Sequence, residues 1–214
     1  LLPLALASLF QSVHARIYAS IQSGMTPQVA VLDYGCGNLA SVVNAVRKVG
    51  GEPEVMAELY PRHSHIILPG QGAFCHLPAW TRQSLQVARQ SGLPILGICL
   101  GMQLMCESSE EAPGVQGLGW FPWKVERLKA KRLPHVGWNT VRADGGDWGD
   151  FYFCHSYGVR RGAFEVPNGT TASTLYDDDV FISGYRNGNL WATQFHPEKS
   201  GKVGLELLAQ FLAL

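Results

Sequence analysis

The chain has 214 residues, enough for one domain with a sizeable core. Lysine plus arginine and aspartate plus glutamate number 17 each, and a formal net charge of zero argues against a nucleic-acid or anionic-membrane surface. Five cysteines, an odd count with no C-x-x-C pair, read as reduced thiols in a cytoplasmic setting and not as a disulfide framework or a zinc site.

Residues 1–28 stand apart from the rest of the chain. Leu1 to Phe10 is apolar, Ala5-Leu6-Ala7 has the small-x-small form of a signal cleavage site, and no acidic residue precedes Asp33. The run is too short to span a membrane, and no basic stretch precedes it. Met25 lies just before the first strand. The expectation is a leader outside the domain, non-native or read from upstream in preference to a targeting peptide, with the domain itself over 29–214.

From Val29 strand and helix patterns alternate, which predicts a three-layer α/β fold, a mostly parallel sheet flanked by helices, of flavodoxin-like or Rossmann-like type. Val29 to Leu32 is a buried strand. Asp33 to Asn38 turns into a helix over Leu39 to Val49, stopped by Gly50-Gly51. The glycine-rich turn is not G-x-G-x-x-G, and no acidic residue ends a second strand at the right distance, so a dinucleotide site does not fit. His65 to Leu68 is the next strand, followed by Pro69-Gly70-Gln71-Gly72, where glycines on both sides of one residue let its peptide turn toward a ligand. A helix around Thr81 to Gln90 leads to an apolar strand, Pro94 to Ile98, and then to good helix formers from Leu100 to Glu107.

Between that strand and that helix stands Gly97-Ile98-Cys99-Leu100-Gly101. A nucleophile on so tight a turn needs glycine two residues before and after it, giving a G-x-Nuc-x-G elbow. The turn places the sulfur at a helix N-terminus, which favours the thiolate, and aims the Leu100 N–H at a developing oxyanion. Taken alone, Cys99 is equally well a small buried hydrophobe. The chain end supplies what a nucleophile requires. A predicted strand over Leu190 to Phe195 ends at His196, Pro197 stops it, and Glu198 can fold back to orient the imidazole.

Past Pro113, Val115 to Pro122 reads as a loop and Trp123 to Leu128 as a half-exposed strand. Lys129 to Arg132 is a small basic edge and Pro134 to Asn139 a loop segment. Asp144 to Asp150 reads as a turn, Phe151 to His155 as a strand. Three short strands, Thr171 to Tyr176, Phe181 to Arg186 and Leu190 to Phe195, precede an amphipathic helix over Lys202 to Leu212. His155 is a rival base to His196, but no carboxylate lies two residues beyond it.

The stretches G-I-C-L-G-M-Q at 97–103 and F-H-P-E at 195–198 resemble the class I, triad-type glutamine amidotransferases. D-Y-G-C-G-N-L at 33–39, P-H-V-G-W-N at 134–139, F-C-H-S-Y at 153–157 and H-P-E-K-S at 196–200 narrow the resemblance to the glutaminase subunits of imidazole glycerol phosphate synthase. It runs from about Val29 to the C-terminus.

The resemblance implies hydrolysis of L-glutamine by Cys99, His196 and Glu198, with oxyanion donors from Leu100 and the Gly70–Gly72 loop through Gln71. It assigns Gly70, Gln103, Glu111, His155, Ser156 and Tyr157 to glutamine, Glu111 to its ammonium group. It implies no metal or organic cofactor. It also implies a heterodimer with a barrel-shaped cyclase subunit that receives the ammonia, met by Asn38, Pro134, His135, Trp138 and Lys199. Gln71 departs from the family, where an apolar residue, commonly valine, stands in that loop. Two other classes stay open: the amidotransferase subunit of anthranilate or aminodeoxychorismate synthase, and a non-enzymatic regulatory domain on the same scaffold.

Overall fold

The computed structural model describes residues 26–35, 38–60, 62–143, 145–161 and 168–214. The leader expected over 1–28 lies almost wholly outside the described residues. Strands β1 (Gln28–Leu32), β2 (Glu52–Met56), β3 (His65–Leu68), β4 (Ile95–Ile98) and β12 (Leu190–Thr193) form a parallel block in the order β2-β1-β3-β4-β12. An antiparallel block continues from β12 through β11 (Asp179–Asn187), β10 (Thr170–Tyr176) and β7 (His135–Ala143) to β8 (Gly146–His155). The expected α/β sheet flanked by helices is therefore present, and its parallel part is the half that carries the elbow. Short strands β5 (Ser108–Ser109), β6 (Lys124–Arg127) and β9 (Tyr157–Arg160) branch from β11.

The central strands are apolar on both faces because both faces are covered. Along β1, Ala30 and Leu32 point into one core layer, Val29 and Val31 into the other. Helices α1 (Leu39–Lys48) and α4 (Gly201–Leu212) close one face. Their buried stripes, Val42, Ala45 and Val46, and Leu207, Leu208, Phe211 and Leu212, follow the spacing of a helix seated on one side. On the opposite face lie α2 (Ala79–Gln90), through Leu85, Val87 and Ala88, and α3 (Leu100–Leu104). Gly50, at φ 87°, stops α1 in the left-handed conformation that glycine adopts without strain.

The boundaries differ from expectation most widely at the elbow helix, the β7–β8 hairpin and β2. The helix after the elbow ends at Leu104, not Glu107, because the next loop takes its last carbonyls. Leu118 N–H donates to Leu104 O, Trp120 and Phe121 to Met105 O, and Gly119 to Cys106 O. Pro134 to Asn139 is not a loop: His135 begins a nine-residue strand, and the turn expected over Asp144 to Asp150 is mostly β8. These two strands pair antiparallel, with an irregular register between Val141 and Arg142. β2 was missed because Glu52-Pro53-Glu54 lacks the apolar alternation of a strand, a composition tolerated at a sheet edge.

Candidate active site

Three adjacent parallel strands deliver the candidate residues to one sheet edge. β3 pairs with β4 through Leu68 and Gly97, and β4 pairs with β12 through Ile98 and Thr193. The Gly70–Gly72 loop, Cys99 and His196 therefore emerge side by side at the carboxyl ends of these strands. The Cys99 N–H donates to Thr193 O at 2.6 Å, carrying the β4–β12 pairing up to Cys99 itself.

Cys99 has φ 54° and ψ −104°, one of two described non-glycine residues with positive φ. For a side-chain-bearing residue this is a strained conformation, and it is held by packing on both sides. A Cβ at Gly97 would meet Met105 Cε at 2.8 Å and Met102 N at 2.9 Å, and one at Gly101 would run into the Leu68 carbonyl. Gly70 is needed as well. A Cβ there would lie 2.5 Å from Leu100 Cβ and 2.6 Å from the Tyr34 hydroxyl. The loop after β3 thus lies directly against the first residue of α3, and Tyr34 holds it by donating to Pro69 O.

His196 begins a 3-10 turn, Pro197–Lys199. Its Nδ1 is 2.8 Å from Glu198 Oε1, with the two side chains 2% and 3% exposed. Nδ1–H donates to the carboxylate, which leaves Nε2 buried, without a well-formed hydrogen bond among the described residues and close enough to Cys99 to interact with it. Burial works against a charged ring here, yet Cys99 and Glu198 outweigh it and raise the His196 pKa to about 10. Ser200, not foreseen from the sequence, clamps this turn: its hydroxyl donates to His196 O at 2.6 Å and accepts the Tyr152 N–H at 2.9 Å. His196 N–H in turn donates to Tyr152 O at 2.9 Å.

His155 has the opposite character. Its Nδ1 faces the Tyr157 carbonyl at 2.9 Å, which can only accept, so the proton sits on Nδ1. Nε2 then accepts from His135 Nδ1 at 3.3 Å, and His135 Nε2 accepts from Asn139 at 3.4 Å. Burial pushes the His155 pKa down to about 3, only partly offset by the Tyr157 bond, and burial likewise pushes His135 down to about 4. Both nitrogens of His155 are engaged, so the rival base is occupied.

His135 is a correction to the expected partner surface. It is 2% exposed, with its ring stacked on Tyr176 at 3.9 Å and on Phe153 at 4.7 Å. As the strand alternates, its neighbours Val136 and Trp138 face outward, 54% and 58% exposed. Trp138 approaches Gly201 at the end of the His196 turn. Pro134 and Asn38 are exposed, Asn38 at the start of α1, which packs on that turn. Lys199 Nζ donates to Gln71 Oε1 at 3.2 Å, linking the turn to the loop after β3.

Of the residues expected to bind glutamine, Gln103 and His155 meet at the Tyr157 carbonyl, and several already have partners. Gln103, 4% exposed, gives its NH2 to Tyr157 O at 2.7 Å and to Gln194 Oε1 at 3.1 Å. Glu111 Oε2 accepts the Phe74 N–H at 2.8 Å, tethering the segment that follows Gly72. Gln194 was missed, although its Nε2 lies 3.6 Å from Cys99 Sγ. A signal was available in the alternation of the strand end: Gln194 and His196 share one face, while Phe195 stacks on Phe151 in the core.

Residues 30–214 match the family Glutamine amidotransferase class-I. The chain is 39% identical over 209 residues to the imidazole glycerol phosphate synthase subunit HisH of Corynebacterium glutamicum, covering 88% of this chain and 99% of that one. It is 40% identical over 194 residues to the HisH subunit of Pyrobaculum aerophilum, covering 87% and 97%. The imidazole glycerol phosphate synthase hisHF of Emericella nidulans is 38% identical over 209 residues, covering 87% of this chain and 38% of the relative. Among solved structures, PurLQS from Thermotoga maritima aligns with a TM-score of 0.67 at 18% identity, over 88% of this chain and 98% of that one, a likeness of fold. The elbow and the His-x-Glu turn both lie inside the matched region, and the chain belongs to the class-I glutamine amidotransferases, among the HisH subunits of imidazole glycerol phosphate synthase.

Proposed function

We propose that this chain hydrolyses the side-chain amide of L-glutamine and passes the ammonia to a barrel-shaped cyclase partner, which forms imidazole glycerol phosphate and an aminoimidazole carboxamide ribonucleotide in histidine biosynthesis. The observation that carries the reading is the meeting of the Gly70–Gly72 loop, Cys99 and the His196–Glu198 pair at the ends of three neighbouring strands. Cys99 gives its thiol proton to His196 Nε2, the thiolate attacks the amide carbon, and the carbonyl π electrons move onto oxygen, held by the Leu100 N–H and a peptide N–H of the Gly70–Gly72 loop. His196 gives its Nε2 proton to the nitrogen as the C–N bond breaks, releasing ammonia and leaving a γ-glutamyl thioester. Water, deprotonated by His196, then attacks that carbon. The C–S bond breaks and glutamate leaves.

Glu198 holds the ring so that Nε2 faces the sulfur, and Glu111 with the Gln103 and His155–Tyr157 region frames the substrate. The partner surface is proposed over Asn38, Pro134, Val136, Trp138 and Lys199. Support comes from exposed Val136 and Trp138, an apolar pair beside the His196 turn. The Emericella relative's chain extends far beyond the matched part, which is room for a second unit on one polypeptide. A cytoplasmic setting accords with Cys99, Cys106 and Cys154, which form no disulfide among the described residues. No helix among the described residues is long and apolar enough to cross a membrane.

The decisive experiment mixes this chain with a HisF-type cyclase and the cyclase substrate and follows imidazole glycerol phosphate formation with glutamine as nitrogen source. Glutamine-dependent product is the expected result. Ammonia release with a chorismate-using synthase subunit and none with the cyclase would favour the other amidotransferase class. A chain that binds partner yet never releases ammonia would favour a regulatory domain.

A further inference from the structure

The direction of the Gln194 amide is decided by its neighbours. A backbone carbonyl only accepts, so the Gln103 group 2.7 Å from Tyr157 O is its NH2. That NH2 also stands 3.1 Å from Gln194, whose facing atom must then be the acceptor, Oε1. The opposite end of the same amide, the Nε2 donor, is thereby left 3.6 Å from Cys99 Sγ. Gln194 is 0% exposed and its N–H donates to Ser183 O at 3.0 Å, so neither water nor backbone movement competes for the amide. Helix α3 is only five residues long, so the dipole expected to favour the thiolate is weak. A neutral thiol is a poor acceptor, and a donor aimed at sulfur gains most when the sulfur is charged.

On the reading that Cys99 is the nucleophile, we propose that Gln194 is a further catalytic residue, whose side-chain N–H stabilises the Cys99 thiolate, and that Gln103 is the positioning residue that fixes its direction. Gln103 then serves the nucleophile before any glutamine arrives, because both hydrogens of its amide are committed to Tyr157 and Gln194. Reversing the Gln194 amide would set two NH2 groups against each other and turn an oxygen toward the sulfur.

The test is the pH dependence of Cys99 alkylation by iodoacetamide in the full chain, read by mass spectrometry of the Cys99 peptide. Gln194→Leu removes the donor and is expected to move the alkylation midpoint up by about one pH unit, roughly tenfold slower reaction below the midpoint. The rate at high pH, where the thiol is fully ionised, should be unchanged. Gln194→Glu keeps the shape and replaces the donor with an acceptor, so it should move the midpoint further. It also serves if the leucine variant does not fold. Gln103→Leu, which does not touch the sulfur, should raise the midpoint by a smaller amount.

Equal midpoints in wild type and both Gln194 variants would overturn the proposal. A change confined to the high-pH rate would do the same, since it reports access to sulfur and not charge. An unchanged midpoint in Gln103→Leu would remove Gln103 from the role. Failure of the underlying reading looks different: Cys99→Ala would retain glutamine hydrolysis whatever the alkylation profiles show.

Discussion

Two histidines at neighbouring strand ends occupy the same site and have opposite electrostatic fates. His155 closes β8, is buried and has both ring nitrogens committed to neutral partners, the Tyr157 carbonyl and His135. His196 follows β12 and is also buried, but one nitrogen meets a carboxylate and the other interacts with a thiol. Burial lowers the first to about 3, and the second rises to about 10 despite burial. Depth alone therefore does not decide which histidine carries a proton. The partners at its two nitrogens do, and a base needs one nitrogen left uncommitted.

The largest effect is expected from Cys99→Ala. It should abolish glutamine-dependent synthesis by the complex while synthesis from added ammonium survives, because the second chemistry belongs to the partner. It should also lower the His196 pKa, leaving His155 unmoved, which NMR titration of the imidazoles would read. Loss of both syntheses from an assembled complex would break the division of labour. Next comes the direct contrast: His196→Asn should reduce glutaminase activity by about 10²–10⁴-fold, the usual worth of a general acid–base group. His155→Asn, which changes a support, should cost roughly tenfold or less. Comparable losses in kcat for the two would erase the distinction.

The comparison also predicts opposite pH dependences of stability. The His196 pKa lies above its ordinary 6.5, so its contribution is complete below pH 6.5 and lost as pH rises toward about 10. For His155 the pKa lies below that value. The unfolded chain takes up a proton there first, so stability is lost as pH falls from 6.5 toward about 3. Thermal melts across pH should show His196→Asn flattening the alkaline limb and His155→Asn the acid limb. The same hairpin that buries His135 behind His155 exposes Trp138, and Trp138→Ala should weaken partner binding by about 30-fold, the size of an interface hot spot, with little change in melting temperature. The smallest effect concerns Gln71, which Lys199 ties to the His196 turn. Gln71→Val removes that tie and introduces a β-branched residue that stiffens the loop. It should lower the rate measured without the partner's substrate more than the fully stimulated rate. Equal changes would show that Gln71 matters little to the oxyanion loop, and a rise in the unstimulated rate would show that it acts in the opposite sense.

The elbow and the His-x-Glu turn were legible because their signals are local. Glycines flank a cysteine at fixed spacing, and the structure explains each through a nearby obstruction, Met102 and Met105 at Gly97 and the Leu68 carbonyl at Gly101. The apolar runs that became β1, β3 and β4 were legible for a similar reason: strands covered on both faces are apolar throughout. The β7–β8 hairpin was not, because its glycines, aspartates and tryptophans resemble loop composition. What makes it a sheet is pairing between residues up to 20 positions apart, His135 with His155 at the far end. That pairing also sent His135 inward and Trp138 outward, a choice that depends on register and that no residue type announces. The roles of Gln103 and Gln194 were hidden likewise, since the direction of an amide is set by the carbonyls and donors around it, and those come from β9, β11 and β12 together. Residue identity and spacing determined which groups could do the chemistry. Long-range pairing decided which of them are free to do it, because a polar group buried in a folded core takes whatever partner the fold brings it.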